Sequence, residues 1–195
     1  MVDGQADGPR PALADSALPA LLENNRRELR GALGSFATGI TVVTAGRKLP
    51  KGMTANSFTS VPLDPPLVLV LVCVLRSAAL HDLVLEEHDL VPEEKAFAVS
   101  VLSAAQEPLA RRFADRGRPR GAREFEAVET EPGRHTGAPL VSGALAWLEC
   151  ALEAVHDGGD HSILLGTVLD AGRGPDGDAL LFHGGKFHRL APSTV

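Results

Sequence analysis

Between residues 144 and 190 the chain alternates apolar and polar positions with a period of two, and this narrows its fold sharply. From Ala144 to Val155, the side chains of Ala146, Leu148, Cys150, Leu152 and Ala154 fall on one face, and those of Trp147, Glu149 and Glu153 on the other. A helix would scatter the same residues around its axis, so the segment reads as a half-buried strand. Ser162 to Leu169 and Ala179 to His183 repeat the pattern, with a short return at Lys186 to Leu190. Short turns join these strands as antiparallel neighbours, and such strands bury their apolar faces by forming a barrel or a sandwich.

One turn invites a different reading. Gly172 to Gly177, GRGPDG, matches the glycine spacing of dinucleotide-binding loops. It contains a proline, however, and leads into a strand, with no helix N-terminus to hold a pyrophosphate. It is expected to be a hairpin turn. The sequence has no phosphate-binding lysine loop of the Walker type and no serine in G-x-S-x-G.

Upstream, residues 1–20 are Ala, Asp, Pro and Gly without periodicity and read as a flexible N-terminal tail, leaving 21–195 as the folded domain. Leu22, Leu29, Leu33 and Phe36 recur at helical spacing, with Gly39 as the expected exit. Ile40 to Ala45 is then a strand, Gly46 to Lys51 a turn and Met53 to Val61 a second strand, before an apolar strand begins at Leu67. Ser77 can cap a helix through His81 and Leu85, Phe97 to Leu102 is a strand, and Ser103 with Gln106 has capping-box spacing for a helix through Leu109 and Phe113. Residues 114–140 read as loop, with the basic run RGRPRGAR expected on a solvated face.

Charge and composition exclude other roles. The net charge is −6 and aromatic residues make up only 4%, which argues against a nucleic-acid partner. The longest apolar run, Leu67 to Leu75, is too short for a membrane helix, and the acidic start lacks a signal-peptide charge pattern. Cys73 and Cys150 lie in apolar strand segments, as small buried thiols do in a reducing compartment. The expectation is a cytoplasmic protein with no membrane association. His156 and His161 flank the turn DGGD, but no third ligand has a compelling spacing, so no metal site is expected.

The stretch KGMTANSFTSVPLDPPLVLVLV, residues 51–72, crowds short hydrogen-bonding groups against an aliphatic strand. Thr54, Ala55, Asn56, Ser57 and Ser60 would let the backbone approach a flat heteroaromatic ring edge closely, as binding an isoalloxazine requires. A merely polar edge strand has the same composition.

Five segments taken together carry a resemblance: LRGALGSFATGITVVTA, the 51–72 stretch, FAVSVL with LARRFA, GAPLVSGALAWLEC and GDHSILLGTV. In this order the chain resembles the flavin reductase domain family, the reductase components of two-component flavin monooxygenases. The resemblance implies a mainly β fold, an antiparallel, Greek-key-like split β-barrel with a few flanking helices, and usually a homodimer. It implies FMN or FAD as cofactor, NAD(P)H as hydride donor, and a flavin-dependent monooxygenase as the partner that receives reduced flavin. By the same resemblance, Thr54, Ala55, Asn56 and Ser57, with Ser60 close behind, line the isoalloxazine and ribityl chain. Arg76 and Ser77 match the phosphate-side segment, Phe113 an aromatic near the flavin, and Gly159, Asp160 and His161 the GDH turn that faces the nicotinamide.

The implied activity is NAD(P)H:flavin oxidoreduction. Hydride transfer from nicotinamide C4 to flavin N5 needs no side-chain nucleophile; it needs two stacked rings with reacting atoms about 3 to 3.5 Å apart. His161 would orient the nicotinamide. Three features depart from the family pattern: Leu75 and Leu80 replace a polar group and a phosphate-binding hydroxyl, the excursion Glu86 to Glu94 is longer, and Phe187 stands where tyrosine is common. Two consequences stay open: a flavin held weakly and released as product, or a flavin-fold binding protein that has lost reductase activity.

Overall fold

The computed structural model describes residues 18–63, 66–75, 95–120, 123–158 and 161–190, and the chain divides into two units, Met1–Phe36 and Ala37–Val195. In the first unit, helix α1 (Leu18–Gly34) closes with Ser35 and Phe36 amides donating to the Ala32 and Leu33 carbonyls, each at 3.1 Å. The helix therefore stops before Gly39, the exit expected from the sequence. Thr38–Gly39 forms strand β1 in the second unit, in register with Phe182 and Leu181, and this pairing supplies both residues with neighbours along a strand.

The second unit continues with β2 (Thr41–Ala45), β3 (Lys51–Ala55), β4 (Phe58–Leu63), β5 (Pro66–Leu75) and β6 (Ala96–Val101). A short 3-10 turn (Ala104–Gln106) leads into helix α2 (Glu107–Ala114), where Gln106 Oε1 accepts the Ser103 amide at 3.0 Å as the capping-box spacing implies. Then come β7 (Thr130–Pro132), β8 (Pro139–Val141), β9 (Ala146–Asp157), β10 (His161–Arg173), β11 (Leu180–His183) and β12 (Lys186–Arg189). Seven strands make the main sheet in the order β3-β2-β6-β9-β10-β5-β4, all neighbours antiparallel. β3 and β4 stand at opposite ends of this order, yet only Asn56 and Ser57 separate them in sequence. The chain itself thus spans the place where the curled sheet fails to close. This is a split β-barrel with its split at Asn56–Ser57.

That crossing explains why the single strand expected over Met53 to Val61 is two. β3 pairs with β2, from Thr41↔Ala55 to Ala45↔Lys51, whereas β4 pairs with β5, from Phe58↔Val70 onward. The expected loop over 114–140 also contains the β7–β8 ribbon. β10 runs through Arg173, so Gly172 is a strand residue covered by Trp147, and the turn that follows is not the expected hairpin, because it carries the chain from β10 in the main sheet to β11, which pairs with β1 and β12 instead. The helix expected from Ser77 lies outside the described residues.

Every residue of β2 is buried, because the strand has apolar material on both faces. Val43 and Ala45 join Phe97, Val99, Cys150 and Leu164 inside the barrel. Val42, on the other face, joins Ile40, Leu102, Ala110 and Phe113 beneath α2. Three buried hydroxyls are partnered within this core: Thr41 donates to Ala55 O at 3.0 Å, Thr44 to Pro139 O at 2.6 Å, and Ser100 Oγ accepts the Val141 amide at 3.0 Å. Burial, reinforced by the neighbouring Glu149 charge, pushes the Cys150 thiol up to about 12, so it stays protonated and inert.

Glu149 is expected on the polar face of its strand, but it is only 1% exposed. The turn between β7 and β8 folds over it, and its carboxylate accepts the amides of Arg134 (3.0 Å), His135 (2.9 Å) and Thr136 (2.8 Å) and the Thr136 hydroxyl (2.8 Å). Burial alone would raise its pKa; the four donors outweigh this and hold it below the ordinary 4.5. A carboxylate with a depressed folded-state pKa stabilises the fold above its unfolded value and loses that contribution as pH falls through the folded value. The melting temperature should therefore drop below about pH 4.5, and Glu149→Gln should flatten that acid limb. Parallel acid limbs for the two proteins would remove Glu149 from the account.

Candidate functional site

The segment Thr54–Ser60 sits at the barrel split, with β3 ending on one side and β4 beginning on the other. Its residues divide by role. Ala55 is 6% exposed and belongs to the barrel core, and its carbonyl accepts the Thr41 hydroxyl. Thr54 Oγ1 donates to Ala110 O of α2 at 2.6 Å, so its proton is committed to the fold and its lone pairs alone can serve a ligand. Asn56 and Ser60 are exposed and Ser57 is half-buried. These three offer short polar groups at the split, which is the donor and acceptor set a heteroaromatic ring edge and a polyol chain require.

His161 opens β10 and is half-buried. Its carbonyl accepts the Gly158 amide at 2.9 Å, and its register partner across the sheet is Leu75 at the end of β5. His156 is exposed and lies opposite Ile163, so the two histidines are not direct cross-strand partners. β5 links the two parts of the site, since it pairs with β4 near Val70 and with His161 at Leu75. At about 3.3 Å per residue, the four or five residues between these points span on the order of 15 Å. That is room for two planar ligands side by side or stacked. The β5–β10 register shifts between Ser162 and Leu164, and this irregularity falls between the two parts of the site.

Phe113 is 1% exposed. It packs beneath β3, with its ring 5.1 Å from that of Phe125, and a Cβ on Gly52 would stand 2.6 Å from its Cε1. Its place is under β3. Arg76, Ser77, Gly159 and Asp160 lie outside the described residues.

Sequence reasoning passes over Arg118 and Glu124. Arg118 belongs to the basic run expected on a solvated face, yet its side chain is 19% exposed and bonds Glu124 Oε1 through Nε (3.2 Å) and Nη2 (3.0 Å). The available signal is the acidic EFE at 124–126, directly after the basic run.

His135, Glu149 and Asp170 bring three potential metal-ligand atoms within 4.8 Å of one another. The four donors around Glu149 all turn their positive ends toward it, so its charge is already matched by the turn it holds. The cluster is a structural staple.

The profile of the flavin reductase like domain matches residues 33–191. The chain belongs to the flavin reductase family. It is 50% identical over 170 residues to the NADH-dependent FAD reductase of Streptomyces globisporus, covering 87% of this chain and 88% of that one. Among solved structures, the Streptomyces globisporus C-1027 NADH:FAD oxidoreductase SgcE6, in complex with NAD and FAD fragments, superposes with a TM-score of 0.76 at 47% identity, covering 88% and 96% of the two chains. BorF, the flavin reductase component of a bacterial two-component tryptophan halogenase, gives 0.76 at 50% identity, covering 86% and 99%. The split barrel and the reductase family thus agree with the fold and activity implied by the sequence motifs.

Proposed function

We propose that this protein is an NADH:flavin oxidoreductase that binds FAD at the barrel split and passes the reduced flavin to a monooxygenase-type partner. The observation that carries the site assignment is the crossing of Asn56–Ser57 between the two ends of the sheet, with exposed short polar side chains beside it. Bound flavin supplies the two-electron acceptor. The chain supplies position. Thr54 and Ala55 hold the edge of β3, Asn56, Ser57 and Ser60 offer hydrogen bonds to the ring edge and ribityl chain, and Phe113 supports β3 from below. By motif alone, Arg76 and Ser77 are assigned to the phosphate side and Gly159, Asp160 and His161 to the nicotinamide side. NADH and FAD are chosen because the half-identical Streptomyces relative uses both.

Asn56→Ala and Ser57→Ala test the flavin side. Losing one hydrogen bond of this kind costs about 0.5 to 1.5 kcal/mol, so the Kd for FAD in a fluorescence titration should rise several-fold in each variant. Unchanged titrations for both would take this stretch out of the site.

The working protein is proposed as a cytoplasmic homodimer, with residues 21–195 as the reductase domain; the segment 1–20, expected to be a tail, already contains the start of α1 at Leu18. Among the described residues no helix is long and apolar enough to cross a membrane. Leu29, Leu33 and Phe36, spaced i, i+4 and i+7, are 57%, 65% and 77% exposed in the single chain, an apolar stripe that suits a second copy. Light scattering at micromolar concentration should give twice the 20.5 kDa chain mass, and a monomer would contradict the dimer.

A further inference from the structure

Among the described residues β3 is the terminal strand of the main sheet, with no strand paired along its other edge. At Gly52 that edge is nevertheless filled: the Gly52 amide donates to Glu124 Oε1 at 3.0 Å, and Arg118 Nη2 donates to the Gly52 carbonyl at 2.5 Å. The two side chains are bonded to each other, and together they present one acceptor and one donor to the strand as a neighbouring strand would. Glu124 is 2% exposed and its second oxygen lies 3.7 Å from Lys51 Nζ.

The pair is itself held in place. Arg112 Nη2 donates to the carbonyls of Arg123, Glu124 and Glu126 at 3.3, 3.1 and 3.0 Å, which fixes the turn carrying Glu124. Arg118 Nη1 donates to Asp115 O at 2.9 Å, and its guanidinium lies 5.8 Å from the Phe113 ring centre. Gly52 is needed for this approach, since a Cβ there would stand 2.6 Å from Phe113 Cε1.

Because backbone groups along an antiparallel edge point outward at every second residue, Thr54 directs its amide and carbonyl to the same open edge as Gly52. Thr54 begins the flavin-side segment. A buried ion pair contributes little net stability over an apolar replacement, so its value here is geometric. We propose that Arg118 and Glu124 are positioning residues that clamp the edge of β3 and set the backbone of Thr54–Ser57 for the flavin. The proposal rests on the flavin-site reading above.

The test compares Glu124→Ala, Glu124→Gln and Arg118→Ala by FAD titration and by amide hydrogen exchange. Glu124→Ala and Arg118→Ala should raise the Kd for FAD about 5-fold or more, with faster exchange over residues 52–57 and unchanged exchange over 97–101 in the barrel core. Glu124→Gln, which keeps an acceptor for the Gly52 amide, should recover most of the affinity and protection despite its lost charge. If Glu124→Ala does not fold, Arg118→Ala with Glu124→Gln decides the matter. Exchange that stays at the wild-type level over 52–57, or that rises equally over 97–101, overturns the clamp. Wild-type FAD binding with unaltered affinity in the variants overturns the clamp alone, whereas a wild-type protein that binds no FAD overturns the flavin reading and the clamp's purpose with it.

Discussion

Replacing His161 by alanine is expected to lower kcat/KM for NADH by about 5-fold to 150-fold while leaving FAD affinity close to wild type, the loss of one orienting contact worth on the order of 1 to 3 kcal/mol at the transition state. The expectation follows from placement. His161 is the first residue of β10, half-buried, with its carbonyl tied to the Gly158 amide and its register partner Leu75 at the end of β5. In the proposed site, a ring set there would hold the nicotinamide against the flavin, apart from the flavin contacts proposed for Asn56 and Ser57. His156→Ala is the internal control, because His156 is exposed and opposite Ile163, away from that junction. Steady-state rates over a range of NADH concentrations, at saturating FAD, make the comparison. Equal and negligible losses in both variants would reduce the turn to a structural hairpin.

Phe97→Ala should be the most damaging substitution in the barrel. Phe97 is fully buried at the centre of the interior cluster, in register with Cys150, and its ring lies against Gly166 so closely that a Cβ there would stand 2.5 Å away. Truncating a phenylalanine in such a site removes its transfer free energy and leaves a cavity, which together cost about 3 to 5 kcal/mol. For a domain of this size the melting temperature should fall by roughly 6 to 20 °C. Phe97→Leu, which fills most of the space, should lose much less. Thermal melts of the three proteins at one pH check this, and a drop of a degree or two for Phe97→Ala would mean that the interior repacks around the hole.

Much of this architecture is legible in local pattern, and the exceptions have identifiable physical causes. The alternation through β9 and β10 encodes strands directly, and β2 is legible as a β-branched run. Period two does not tell which face is solvated, so Glu149 reads as exposed when a turn fourteen residues upstream in sequence folds over it. The break at Asn56–Ser57 is invisible for a similar reason: both halves have strand character, and only the partner changes, from β2 to β5. The motif marks Thr54 and Phe113 as candidates for the flavin site but does not say that the Thr54 hydroxyl is spent on Ala110 O or that Phe113 lies under β3. Arg118 is the clearest case. Its basic neighbours carry the signature of a solvated loop, and only the tertiary partner Glu124 turns it inward.

This split barrel is proposed to work as an NADH:flavin reductase whose catalysis is the positioning of two rings. The most direct measurement is NADH consumption by the purified chain, followed by absorbance, with and without added FAD or FMN. Consumption should be slow or absent without flavin and rapid and saturable when flavin is added. A protein that binds flavin in the same solution yet leaves NADH untouched would contradict it.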